Sequence, residues 1–381
     1  MNSSISTTSK YYDEKILIGL IIFSFFGMYI GFFSHSFYLL TICCLIGAFS
    51  ILIAEILFRS KRIKQYALAL LVIATFTIAF GVLYNKSFPT AYLFLLFFCL
   101  LVVFFSLNKY THKQMLAITN LPYLVYAALS ILVNLGVIPV GRAINSDDVT
   151  TVFGNANAFV GFFGSTAHID SYSILVLLIN LYFNPIKRNK LFFLFLTGTI
   201  AFITFRTTPI LVGIGSVLCA FVLNKLKWKI FGEILLITIF LSFLTPLVIY
   251  ILTQDRVYLI LLDYLLTGRA SLWVDIWNIY TSKSILDMLI GFSGVEGFSV
   301  MTWGFAKANP HNLYLNFLIL YGAAFFIIFF LFVRRVFFNL SPQKKTLLIA
   351  ILLGGVGNSA LIGFSNLPIT IWLAYLLCHE K

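Results

Sequence analysis

The sequence predicts an all-α, polytopic integral membrane protein, and three observations carry that expectation. The 381-residue chain is 61% hydrophobic and only 10% charged, whereas a soluble domain carries roughly 25% charged residues. So much apolar surface cannot be hidden in one core, and the solvent it calls for is lipid. About twelve apolar runs are long enough to cross a bilayer core of about 30 Å as helices. Lysine and arginine then alternate between rich and poor loops, the pattern that sets membrane orientation. The net charge of +13 would otherwise suggest nucleic acid, but its dispersal over short loops argues against that partner.

The expected crossings, in order, are 16–34, 37–58, 66–84, 90–107, 115–136, 164–183, 191–205, 208–224, 230–252, 311–333, 346–363 and 365–378, with Pro, Gly, Asn and basic residues marking the breaks. The polar stretch 1–10 and the absence of a small-residue cleavage pattern after the first run argue against a cleavable signal peptide. Cys43, Cys44, Cys99, Cys219 and Cys378 all lie inside apolar runs, so neither a disulfide nor a cysteine metal site is expected. One set of loops, which includes Arg59 to Lys64, Lys187 to Lys190, Lys225 to Lys229 and Arg334 to Lys345, holds about nineteen of the 26 Lys and Arg. The rule that cytoplasmic short loops carry the excess predicts cytoplasmic termini and an even number of crossings.

Two of the outward loops are large. Residues 137–163 contain Arg142, Asp147, Asp148 and the run Phe153-Gly154-Asn155-Ala156-Asn157. Residues 253–310 are too long for a structural linker and mark the outer face as the working face. Within 253–310, Arg269 to Tyr280 puts Leu272, Trp273, Ile276, Trp277, Ile279 and Tyr280 on one broad helical face, with Asp275 and Asn278 off it. Such a helix is expected along the membrane surface with its aromatic rings in the interface. The whole chain, 1–381, reads as one polytopic domain. It has no internal repeat.

His311 carries the most chemistry. Asn309 reads as an N-cap and Pro310 as the first helical residue, so His311 projects from the first turn, where unpaired N–H groups attract anions such as a pyrophosphate. An imidazole exchanges a proton near neutral pH. The plainer reading is an interfacial His held by water. Arg269 offers forked donors for a phosphate, or touches lipid headgroups at a helix end. Arg206 lies in the very short connection Phe205-Arg206-Thr207-Thr208, where it needs a partner or reaches the interface. Arg142 has the same two readings. Glu55 and Glu233 fit snorkelling or pairing at cytoplasmic helix ends. His168 and Asp170, two apart on a helix, face different directions. Asp147-Asp148 reads as a solvated turn. No GxxxxGK, HExxH or CxxC motif occurs, so neither nucleotide hydrolysis nor structural zinc is expected.

Taken together, Gly268-Arg269 with Leu272-Trp273, Gly291-Phe292-Ser293-Gly294, and His311-Asn312-Leu313-Tyr314-Leu315 running to Gly322 resemble the O-antigen polymerase and O-antigen ligase superfamily. Phe153-Gly154-Asn155-Ala156-Asn157 resembles its outer-loop Gly-Asn element, and Arg206 its recurrent Arg at a tight outward turn. The resemblance covers roughly 150–335. It implies a GT-C-like multi-pass glycosyltransferase of the bacterial cytoplasmic membrane that needs no metal or other cofactor. The donor would be an undecaprenyl-pyrophosphate-linked oligosaccharide. His311 would act as base or pyrophosphate-orienting group, with Arg269, Arg206, Arg142 and Asn312 as substrate-binding residues. Membrane lipid, a chain-length regulator and a flippase of the same pathway are the implied partners. The chemistry is shared by a polymerase of repeat units and a ligase that moves finished glycan to lipid A core or another acceptor. A transporter or lipid-glycan flippase with about twelve helices would share the hydropathy but wants ionisable groups or broken helices near the midplane.

Overall fold

The computed structural model describes residues 65–85, 90–107, 110–137, 166–204, 207–225, 229–252, 269–291, 312–357 and 367–378, with isolated positions at 19, 47, 50, 53 and 260. Among the described residues the regular structure is helical and no strand occurs. Numbered along these residues, the helices are α1 (Gln65–Asn85), α2 (Thr90–Leu107), α3 (His112–Asn134), α4 (Thr166–Phe183), α5 (Lys187–Thr204), α6 (Thr207–Lys225) and α7 (Lys229–Phe240). They continue with α8 (Thr245–Leu252), α9 (Arg269–Thr281), α10 (Ile285–Ile290), α11 (Leu313–Asn339), α12 (Pro342–Gly357) and α13 (Leu367–Cys378). By length and composition α1 and α3 are able to cross a membrane, as is the run of α11 counted without its break. The expected crossings from 66 to 224 coincide with α1 to α6 to within a turn at each end. Those at 16–34 and 37–58 lie almost wholly outside the described residues, as does the loop 137–163.

Lipid is the solvent that the outer surface suits. On α1, Leu68, Val72, Phe76 and Phe80 recur every four residues and are all exposed, while the opposite side buries Ala67, Leu70 and Ala74. On α6, Ile214, Val217, Leu218 and Phe221 face outward and Ser216 and Ala220 face inward. Large apolar side chains outside and small ones at the helix contacts invert the pattern of a water-soluble helix. The centre of the bundle is α2, where every residue from Phe97 to Phe105 is buried. It packs between α1 and α13, with Phe98 edge-on to Phe329 at 6.1 Å and Phe105 edge-on to Tyr375 at 5.8 Å. The Cys378 thiol donates to Val102 O.

Polar side chains fasten α3 to α4 and α13. Asn120 and Asn180 exchange amide hydrogen bonds at 3.0 and 2.8 Å. Tyr123 and Ser173 share one at 2.8 Å, and the Tyr172 hydroxyl donates to Thr119 O. The Trp372 indole N–H donates to Thr119 Oγ1. Basic helix ends gather as well. Arg334 holds Glu233 through two bonds of 2.7 Å, Arg335 lies over the Tyr66 ring and Lys345 over the Phe337 ring. Glu233 thus has the basic partner that its position suggested.

Two expected crossings are discontinuous. The run 230–252 is interrupted by a 3-10 turn, Leu241–Leu244, between α7 and α8. Pro246 has no N–H to give the Ser242 carbonyl four residues earlier, and the N–H of Thr245 closes on that carbonyl instead. The run 311–333 is broken at Gly322, with φ 78° and ψ 167°, and it folds back on itself. The Phe317 ring lies 5.5 Å from that of Phe329, twelve residues on, where a straight helix would separate them by about 18 Å. Phe240 lies 4.9 Å from both Tyr314 and Phe330, which a straight helix would hold about 24 Å apart. The half-helix Leu313–Tyr321 therefore packs against the half beyond Gly322 rather than extending it.

Candidate functional site

Asn312 opens this half-helix. Its backbone is extended at φ −134°, and its Oδ1 accepts from the N–H groups of both Tyr314 and Leu315 at 3.0 Å. The N-cap is therefore Asn312, three residues later than Asn309, where the sequence put it. An asparagine caps a helix by this geometry, and the two N–H groups it satisfies are no longer open to a pyrophosphate. The Nδ2 of Asn312 donates to Ser242 O at 3.1 Å and lies 3.4 Å from Ser242 Oγ. Asn312 is 1% exposed, and its amide is used on both sides, as a cap and as a clamp.

The depth of this point is set by α7. Ser242 lies about 20 Å from Lys229 along the helix and the 3-10 turn. The bond from Asn312 to Ser242 holds the cap level with that point of the neighbouring element. Beside it, the Tyr314 hydroxyl donates to Leu352 O of α12 at 2.6 Å.

The helix that Arg269 opens is present as α9, and it is packed rather than lying free along a surface. Trp273 and Ile276 are buried with Ile249 of α8 and with Leu315 and Ile319 of the half-helix. The apolar face expected from the sequence is the one used, with Asn278 exposed. Burial raises the Tyr280 phenol above its ordinary range, so this hydroxyl is a neutral donor at physiological pH. The α9 helix ends at Thr281, and α10 follows behind a capping box in which Ser284 and Asp287 bond each other's backbone N–H.

Gly291 ends α10 with φ 89° and ψ 156° and runs against the break in α11. A Cβ at Gly291 would stand 2.6 Å from Leu320 O and 2.7 Å from Gly322 N. Two glycines in backbone conformations essentially closed to other residues thus allow two main chains to cross at contact distance. Sequence reasoning singled out both glycines as part of a pattern but not their contact, and it did not find Ser242 at all. Pro246 was the available signal for the broken ladder at Ser242.

The elements that carry Arg269 and Asn312 are brought together through Trp273, Ile276, Leu315 and Ile319. The side chain of Arg269 and the whole of His311, Arg206 and Arg142 lie outside the described residues, as do Asn309 and Pro310. The side chains of His168 and Asp170 do so too, although their backbone belongs to α4. No family model, curated protein or solved structure matches this chain.

Proposed function

We propose that this protein is a multi-pass glycosyltransferase of the bacterial cytoplasmic membrane that joins undecaprenyl-pyrophosphate-linked repeat units into O-antigen or capsular polysaccharide. In this reading about twelve crossings form a GT-C-like bundle with both termini in the cytoplasm. The gathering of Arg334, Arg335 and Lys345 with the Lys229 end of α7 at one end of the bundle supports that orientation. The observation that carries the reading is that Trp273 and Ile276 of the Arg269 helix share one buried apolar cluster with Ile249 of α8 and with Leu315 and Ile319 of the half-helix that Asn312 caps. Trp273 of one signature and Leu315 of the other thereby meet in one cluster.

The chemistry asks for little more. An acceptor hydroxyl attacks the anomeric carbon, its proton goes to a base, the glycosidic C–O bond to the lipid breaks, and polyprenyl pyrophosphate leaves with the electron pair. His311 is the base or orients the pyrophosphate, and Arg269, Arg206 and Arg142 neutralise it. Purified protein in vesicles with lipid-linked repeat units is expected to lengthen glycans. His311→Ala and Arg269→Ala proteins at equal abundance are expected to lose about 10²-fold or more of that rate, read as product length against time. Full-length polymer from both variants rejects the site. Transfer of finished glycan to a separate acceptor, with no lengthening, points to the ligase instead.

A second reading, a lipid-glycan transporter, is favoured by one observation. Two neighbouring elements carry irregular turns, at Leu241–Leu244 and at Gly322, and Phe243 of the first packs on Phe326 beyond the second, a feature found at many transporter sites. Against it, the Ser242 carbonyl loosened by the first break is occupied by Thr245 and Asn312. Translocation of labelled donor across the vesicle without change of glycan length would decide for transport.

A further inference from the structure

We infer that Asn312 is a positioning residue, and that the half-helix Leu313–Tyr321 is a strut fixed at both ends so that the chain enters α11 at a set depth in the bundle. One end is the Asn312 amide, which joins the first turn of the half-helix to the 3-10 turn of the neighbouring element through Ser242. The other is Gly322, whose backbone is wedged against that of Leu289, Ile290 and Gly291. Along its sides the strut is held by the bond from Tyr314 to Leu352 O and by the apolar cluster that Leu315 and Ile319 form with Ile249, Trp273 and Ile276.

Nine residues separate the two pins, about 14 Å of helix, so sliding of the strut by one residue would break both at once. An amide is suited to the first pin because it has donors and acceptors on one rigid plane. Oδ1 serves the strut and Nδ2 serves the wall. A substrate ligand would have to give up one of these bonds. Small displacements of a reacting group lower rate more than affinity, so loosening the bond from Asn312 to Ser242 is expected to act on rate.

This inference rests on the glycosyl-transfer reading for its activity measurement. The test uses the full-length protein in vesicles with lipid-linked repeat units, comparing wild type with Asn312→Ser and Asn312→Asp. Both replacements keep an oxygen that caps the helix, and neither can donate an amide hydrogen to Ser242 O. The expected result is a kcat lower by tenfold or more in each folded variant, with KM for the lipid-linked donor within twofold of wild type and a thermal midpoint within a few degrees for Asn312→Ser, whereas Asn312→Asp, which buries a carboxylate against the Ser242 carbonyl, melts lower. A KM raised tenfold at unchanged kcat would make Asn312 a ligand and overturn the inference. Wild-type kinetics in either folded variant would overturn it as well. A wild-type protein that lengthens no glycan rejects the glycosyl-transfer reading itself, which separates that failure from failure of the strut.

Discussion

Gly322→Ala is expected to abolish folded protein. The φ of 78° and ψ of 167° at this position lie in a region essentially restricted to glycine, where another residue costs about 1–3 kcal/mol. An added Cβ would also overlap Leu289 O and Ile290 C. These are backbone atoms, so no rotamer change relieves the clash. The summed cost is several kcal/mol, a large part of the roughly 5–15 kcal/mol that holds a typical domain together. Gly291→Ala is expected to behave in the same way, because its Cβ would press on Leu320 O. Gly198 of α5 has open space around it, so Gly198→Ala is the control and should lose nothing. The measurement is yield from membranes and thermal midpoint in a mild detergent. A Gly322→Ala protein as abundant and as stable as wild type would mean that α11 does not fold back.

Asn180→Leu is expected to lower stability by about 2 kcal/mol, within the range of 1–3 kcal/mol for leaving a buried polar partner unsatisfied. Asn180 is fully buried, and its amide meets Asn120, Asn184 and Val176 O. The replacement strands the Asn120 amide between α3 and α4. Removing both partners should be less harmful than the single changes combined, because Asn120→Leu with Asn180→Leu leaves no orphaned amide of the pair. A double-mutant cycle on thermal unfolding in detergent reads this coupling. Additive losses would show that the two amides do not bond across the helices. Interhelical hydrogen bonds of membrane proteins average nearer 0.6 kcal/mol, so the predicted value depends on the pair being reciprocal.

The parts of this molecule that can be read from the chain are those set by local sequence. Six consecutive expected runs became α1 to α6 because each is an unbroken apolar stretch bounded by polar residues, and a helix is the way such a stretch satisfies its own backbone. The face of α9 was equally legible, since Trp273 and Ile276 recur at helical spacing. The start of α11 was not. Asn309-Pro310 and Asn312 both carry the chemistry of a helix start, and the decision between them rests on Ser242, seventy residues away, which accepts the Asn312 amide. The break at Gly322 was likewise hidden. A glycine within an apolar run is tolerated in membrane helices, and only the backbone of Gly291 pressing on it turns tolerance into a fold-back.

By itself the sequence determined the class of the protein: helical, apolar on its outer faces, basic in alternate loops, with a His-Asn pair after a long polar stretch. Those properties follow from hydropathy, charge and capping chemistry, which act over a few residues. The tertiary structure alone decided that two expected crossings are interrupted, that Asn312 clamps one to the other, and that the Arg269 helix shares a buried cluster with α8 and the half-helix. The physical reason is that backbone groups released by a break must find partners, and those partners lie far away along the chain.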